Sequence, residues 1–289
     1  MIRKKIGLHA NNEEIVLEIY LHSNLDTKYP AMVICPGGAY FKIAETEAEP
    51  VALKWFELGF NTFVLRYSCV ASGSVDWPNP MLDLARSLEL IRKNADIWSV
   101  ESSKVIVCGF SAGGHLAVSY GNHWHEEFFS KELNTTKENL KPNAIVACYP
   151  SIEYTIIDKE WRADLKSDLI HPLMGIPINE IWENHYLALM GTKKPTMEQL
   201  EKHNNSNFIN ANTPPTFLWH TTDDELVSVK NTLHYAQGLL NKNIIFDLHI
   251  FQGGSHGLSL CSDEDLNTKH ISTWIDLVDT WFKSIGLGK

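Results

Sequence analysis

Hydrophobic positions along the chain fall into two alternating rhythms. Short, nearly continuous apolar runs occupy 15–21 (IVLEIYL), 31–35 (AMVIC), 61–67 (NTFVLRY), 104–108 (KVIVC), 144–149 (AIVACY), 215–219 (PTFLW) and 246–251 (FDLHIF). Several of these are what strands covered on both faces require. Between them, apolar residues recur at helical spacing. One set is Met81, Leu84, Ala85, Leu88 and Ile91, and a second is Val229, Leu233, Ala236 and Leu240. A third is Ile271, Trp274, Ile275, Val278, Trp281 and Phe282. The alternation predicts an α/β fold, a mostly parallel central sheet with helices on both faces. Ligands of such sheets bind beyond the carboxyl ends of the strands.

Residues 151–212 break the alternation. They carry Tyr154, Trp161, Met174, Trp182, Tyr186 and Met190 but no clean strand. That is too long for an ordinary connection and predicts a helical, cap-like insertion inside a single domain spanning 1–289. It follows the carboxyl end of one strand, so it is expected over the site. The plainer alternative is a surface decoration.

Composition narrows the partners. The 289 residues are 44% hydrophobic, enough for one large core, and hold 25 Lys+Arg against 35 Asp+Glu, a net charge of −10. That charge argues against nucleic acid or an anionic membrane surface as partner. The opening MIRKKIGLHANNEE has no apolar core of a signal peptide, and no apolar run approaches membrane-spanning length. The five cysteines are odd in number and form no CxxC, and four (Cys35, Cys69, Cys108, Cys148) lie in or beside strand-like runs. They read as reduced core thiols, and the expected location is cytoplasmic.

The chemistry centres on GFSAGG, where Ser111 stands between a strand-like run and a helix-like one. A sharp strand-to-helix turn holds its central residue in a strained conformation and tolerates only small neighbours, which is the pattern of a nucleophile elbow. A serine needs a base, and the base needs an orienting acid. His256 in GGSHGL follows the last strand, and Asp223 and Asp224 follow the one before, giving the order Ser, Asp, His. Either aspartate alone could be a helix N-cap. The Ala112 N–H is one oxyanion donor, and CPGGAY (Cys35 to Tyr40) after an early strand supplies the second. Tyr40 and Trp77 are candidate substrate-binding residues. His115 reads as a packing residue. His123 and His125, two apart on a helix, do not share a face, so no metal site is expected.

The segments CPGGAY, WPNPMLDLARSLELIRKN, GFSAGGHLA, PPTFLWHTTDDELVSV and GGSHGL together resemble the α/β-hydrolase serine esterases, in particular bacterial acetyl esterase and acetylxylan esterase-like proteins. The family places its acid three residues before a valine, which selects Asp224, ahead of Val227, over Asp223. This chain departs from the family in two places. Pro36 and Ala39 replace the histidine and third glycine of a His-Gly-Gly-Gly loop, and Ser228 stands where a proline is common. Gly38 and Ala39 are the favoured oxyanion donors beside Ala112. The implied function is a cofactor-free, metal-free hydrolase with a Ser111–His256–Asp224 triad. It would cleave short-acyl esters, O-acetylated sugars among them, through an acyl-enzyme. The alternatives are a phenolic (feruloyl-type) esterase and, less well matched, a peptidase of the prolyl oligopeptidase kind. The expected partner is a small-molecule ester, and a homo-oligomer is left open.

Overall fold

The computed structural model describes residues 1–24, 26–73, 76–163, 170, 175–261 and 268–288. Eight strands form one sheet: β1 (Ile2–His9), β2 (Asn12–Leu21), β3 (Tyr29–Cys35), β4 (Asn61–Arg66), β5 (Val100–Phe110), β6 (Ala144–Cys148), β7 (Thr216–Thr221) and β8 (Phe246–Phe251). Their spatial order is β1-β2-β4-β3-β5-β6-β7-β8. β1 and β2 run antiparallel to their neighbours, and every pair from β4 to β8 is parallel.

The helices are α1 (Glu49–Glu57), α2 (Asn79–Lys93), α3 (Ala112–His123), α4 (Glu127–Glu132), α5 (Lys137–Leu140), α6 (Tyr154–Ala163), α7 (Ile178–Met190), α8 (Met197–Glu201), α9 (Val229–Asn241) and α10 (Trp274–Ser284). The continuous apolar runs serve two cores at once. Ala31, Val33, Cys35, Val105 and Val107 face a layer built from α2, α3 and α9, while the alternate residues Met32, Ile34, Ile106 and Cys108 face α1 and α10. A central strand that fills both layers has no room for polar side chains, and each fully buried Val or Ile adds roughly 1.5–3 kcal/mol.

The strand not expected from the sequence is β1. Its basic residues and mostly exposed pattern hide it, since only Leu8 is buried. It pairs with β2 through its backbone, and charge on an outermost strand discourages further pairing. The insertion contributes α6, α7, α8 and a 3₁₀ turn at Asn205–Phe208 on the α3 side of the sheet. Of the bulky side chains expected there, those of Trp161 and Met174 lie outside the described residues. All five cysteines are buried and free of disulfides. Among the described residues, no helix is long and apolar enough to cross a membrane.

Candidate active site

Ser111 sits between the end of β5 and the start of α3 with φ 50° and ψ −115°, a conformation costly for a residue with a side chain. Backbone bonds hold it there. Its N–H donates to the Cys148 carbonyl at 3.0 Å, and its carbonyl accepts the N–H groups of His115 and Ser151. The flanking glycines answer to close approach rather than to φ. A Cβ on Gly109 would lie 2.1 Å from the Gly113 carbonyl oxygen, and one on Gly113 would lie 2.0 Å from that of Cys35. The helix therefore starts against the sheet, with the serine at the corner.

His256, in the loop after β8, reaches Ser111 Oγ through Nε2 at 2.8 Å and Asp224 Oδ2 through Nδ1 at 2.7 Å. With a neutral ring the serine hydroxyl donates to Nε2, and Nδ1–H donates to the carboxylate. Asp224 is not the N-cap of α9, a position that Ser228 takes. Asp224 Oδ1 accepts the backbone N–H groups of Leu226 and Val227, tying down the turn ahead of α9, while Oδ2 faces His256. Asp223 is exposed and, among the described residues, accepts only the Thr222 hydroxyl at 2.8 Å.

Burial alone would raise the Asp224 carboxyl. The facing His256 and hydrogen bonds from His220 and His256 outweigh it and hold the group well below the usual carboxylate range. For His256 burial works the other way, toward the neutral ring, but the charge and hydrogen bond of Asp224, with Glu47 and Glu225 behind, raise its pKa overall. An ionised acid behind a basic imidazole is the arrangement a serine nucleophile needs.

The CPGGAY loop forms the opposite wall. Gly37 N–H donates to the buried Glu47 carboxylate at 2.7 Å, and Glu47 also accepts the Tyr149 hydroxyl at 2.7 Å. Tyr149 in turn packs edge-on against His256, with ring centres 5.1 Å apart. Gly37 N–H is thus already engaged, whereas Gly38 and Ala39 line the cavity with Ser111. Gly38 has φ 119°, and a Cβ there would lie 1.9 Å from the Lys42 carbonyl oxygen. Ala112 opens α3, so its N–H has no carbonyl one turn back to bond.

The cavity beside Ser111 and His256 has a volume of about 360 Å³. Ile43 of the loop, Leu226 and Ile181 of α7 give it aliphatic walls. Neither Tyr40 nor Trp77, both expected on the substrate wall, is there. Tyr40 has φ 58°, which turns its ring into the core, where it is fully buried and donates to His115 Nδ1 at 2.8 Å. Trp77 packs edge-on against Tyr40 and lines a separate hollow of about 280 Å³ with His115, Ser119 and Phe208. Trp182 is likewise buried, against His185 and Tyr186. His123 Nδ1 faces Glu126 at 2.5 Å, and among the described residues no group of three or more His, Cys, Asp or Glu could hold a metal ion.

Four residues escaped the sequence reasoning. Ile181 and Glu47 carry no local signal. His185 of α7 pairs through Nε2 with the Tyr154 hydroxyl at 2.7 Å, and its ring packs 5.5 Å from that of Tyr40, linking the insertion to the CPGGAY loop. His220 stands four residues before Asp224 at the end of β7, where a polar residue in an otherwise apolar strand was a readable sign.

Strand order, elbow and hydrogen-bonded Ser–His–Asp row define an α/β-hydrolase. Residues 17–239 match the BD-FAE family, and the chain belongs to it. Over 99% of its length the chain superposes on 97% of the acetyl ester-xyloside bifunctional hydrolase from Caldicellulosiruptor lactoaceticus, with a TM-score of 0.78 and 30% identity. It is similar to endo-1,4-beta-xylanase B of Butyrivibrio fibrisolvens, 30% identical over 85% of this chain and 35% of that protein. It is also similar to acetylxylan esterase of Xylanibacter ruminicola, 24% identical over 89% of this chain and 44% of that protein. The chain spans less than half the length of these two curated relatives.

Proposed function

We propose that the protein is a serine carboxylic ester hydrolase acting on short-acyl esters, O-acetylated sugars among them. The observation that carries this is the continuous row Ser111 Oγ, His256 and Asp224, at 2.8 and 2.7 Å, beside a cavity of about 360 Å³. The acetylxylan esterase and acetyl ester-xyloside hydrolase among the similar proteins support the substrate class.

In the first half-reaction Ser111 Oγ attacks the ester carbonyl as His256 Nε2 takes its proton. The imidazolium is stabilised by Asp224 through Nδ1–H. The developing oxyanion accepts the N–H of Ala112 and that of Gly38 or Ala39. Collapse breaks the bond to the alcohol, which leaves with the proton from His256, and Ser111 is left acylated. In the second half-reaction His256 takes a proton from water as the water attacks the acyl carbon. That proton returns to Ser111 Oγ as the carboxylic acid departs.

The decisive experiment is a hydrolysis panel of acetyl, butyryl, octanoyl, feruloyl and peptidyl substrates. Turnover confined to the peptidyl substrate would reject an esterase. Within the p-nitrophenyl esters from C2 to C12, kcat/KM is expected to peak at C2–C4 and fall beyond. A buried methylene adds about 0.8 kcal/mol in an open groove. Against the Ile43, Ile181 and Leu226 walls a longer chain overpacks instead, at roughly 1–3 kcal/mol. A value still rising beyond C8 would reject an acyl pocket limited by those walls. Because His256 activates the nucleophile in this mechanism, exhaustive EDTA treatment should leave turnover unchanged. A loss restored by zinc would overturn that expectation.

A further inference from the structure

The fully buried His220 lies behind the row of reacting residues, and the mechanism above makes no use of it. Its Nε2 is 3.0 Å from Asp224 Oδ2, the same oxygen that faces His256, and 2.8 Å from the Val227 carbonyl oxygen. Its Nδ1 is 2.7 Å from the Thr232 hydroxyl of α9. Two acceptors converge on Nε2, so Nε2 carries the hydrogen. Nδ1 of the neutral ring is then an acceptor, and Thr232 donates to it. The hydroxyl on one side fixes the tautomer on the other.

We infer that His220 is a positioning residue that aims Asp224 and disperses part of its negative charge for His256, an inference that rests on the triad mechanism proposed above. Asp224 Oδ1 is held by two backbone N–H groups, so the remaining freedom of the carboxylate is a swing of Oδ2. The His220 N–H pins that oxygen in the imidazole plane of His256. It also shares the oxygen's negative charge. With the His220 bond absent, Asp224 becomes a stronger acceptor and stabilises the imidazolium of His256 more. Among the described residues the Glu225 carboxylate, which accepts the His256 backbone N–H, Glu47 and the Tyr149 ring also face His256, and they stay the same.

Two polar replacements separate the contacts. His220→Asn has an amide at the position of Nδ1, so it can meet Thr232 but does not reach Asp224. His220→Gln has an amide at the position of Nε2, with two N–H donors for Oδ2 and the Val227 carbonyl. His256 must be neutral to accept the serine proton, so kcat/KM falls as pH drops through its pKa. For His220→Asn this acidic limb should move to higher pH by about half a unit, with kcat about tenfold lower and KM unchanged. His220→Gln should keep the limb near its wild-type position. Wild-type turnover that survives Ser111→Ala would refute the triad mechanism itself. If wild-type turnover depends on Ser111, coincident limbs for His220→Asn and wild type would overturn the role of His220, as would equal shifts in both variants. A purely structural histidine would lower activity by the same fraction at every pH. Nitrogen-15 NMR of the wild-type protein gives a check that needs no variant to fold. The neutral His220 ring should carry its hydrogen on Nε2, and a ring with its hydrogen on Nδ1 would overturn the inference.

Discussion

Ser111→Ala is expected to abolish ester hydrolysis, by about 10⁶-fold in kcat, and to abolish labelling by a fluorophosphonate. His256 Nε2 lies 2.8 Å from the Ser111 hydroxyl, the side chain proposed to make the attack. The loss should come without unfolding. The strained φ of 50° is imposed by the backbone bonds from Cys148, His115 and Ser151, which alanine leaves intact. The variant should therefore match wild type in circular dichroism and melting temperature. Labelling that persists in it would show that another residue is the nucleophile.

Asp224→Asn should cost about 10⁴-fold in kcat, the scale expected when a triad acid loses its charge but keeps its shape. The asparagine carbonyl would keep the backbone N–H groups of Leu226 and Val227, which puts its NH₂ where Oδ2 now lies. That NH₂ would face two N–H donors, His256 Nδ1–H and His220 Nε2–H. To relieve the conflict His256 must take the other tautomer, with its hydrogen on Nε2, where it can no longer accept from Ser111. Asp223→Asn, on an exposed side chain that accepts the Thr222 hydroxyl, should change kcat by less than about threefold. The comparison needs only kcat for the two variants on p-nitrophenyl acetate. The reverse ranking would identify Asp223 as the acid.

Sequence legibility followed the kind of constraint at each position. The interior strands could be read because burial on two faces demands an unbroken apolar run, as in Val105–Cys108 or Ala144–Cys148. β1 could not, because a strand at the sheet's edge is held by backbone bonds and carries Arg3, Lys4 and Lys5 outward. Ser111, Asp224 and His256 sit at strand ends whose order is set by topology, so their spacing announces them. Tyr40 and Trp77 are aromatic residues that the sequence offers for a substrate wall. Nothing in a sequence says whether an aromatic ring turns toward a cavity or into the core, and here a left-handed φ at Tyr40 decides it. Glu47 and Ile181 act across distances in the chain that no local pattern encodes.

Ile181 stands apart from the other residues around Ser111. Ser111, His256 and Asp224 all hang from the sheet, whose strands are fixed by two cores at once. Ile181 hangs from α7, in the segment that interrupts the strand–helix alternation. On the proposed mechanism, the reacting atoms and one wall of the cavity are thus carried by parts of the chain that can drift at different rates. Enlarging or shrinking one aliphatic residue on that helix would retune which acyl groups fit while the reacting atoms keep their distances. A lineage, or an engineer, can explore new esters from this scaffold without first surrendering turnover.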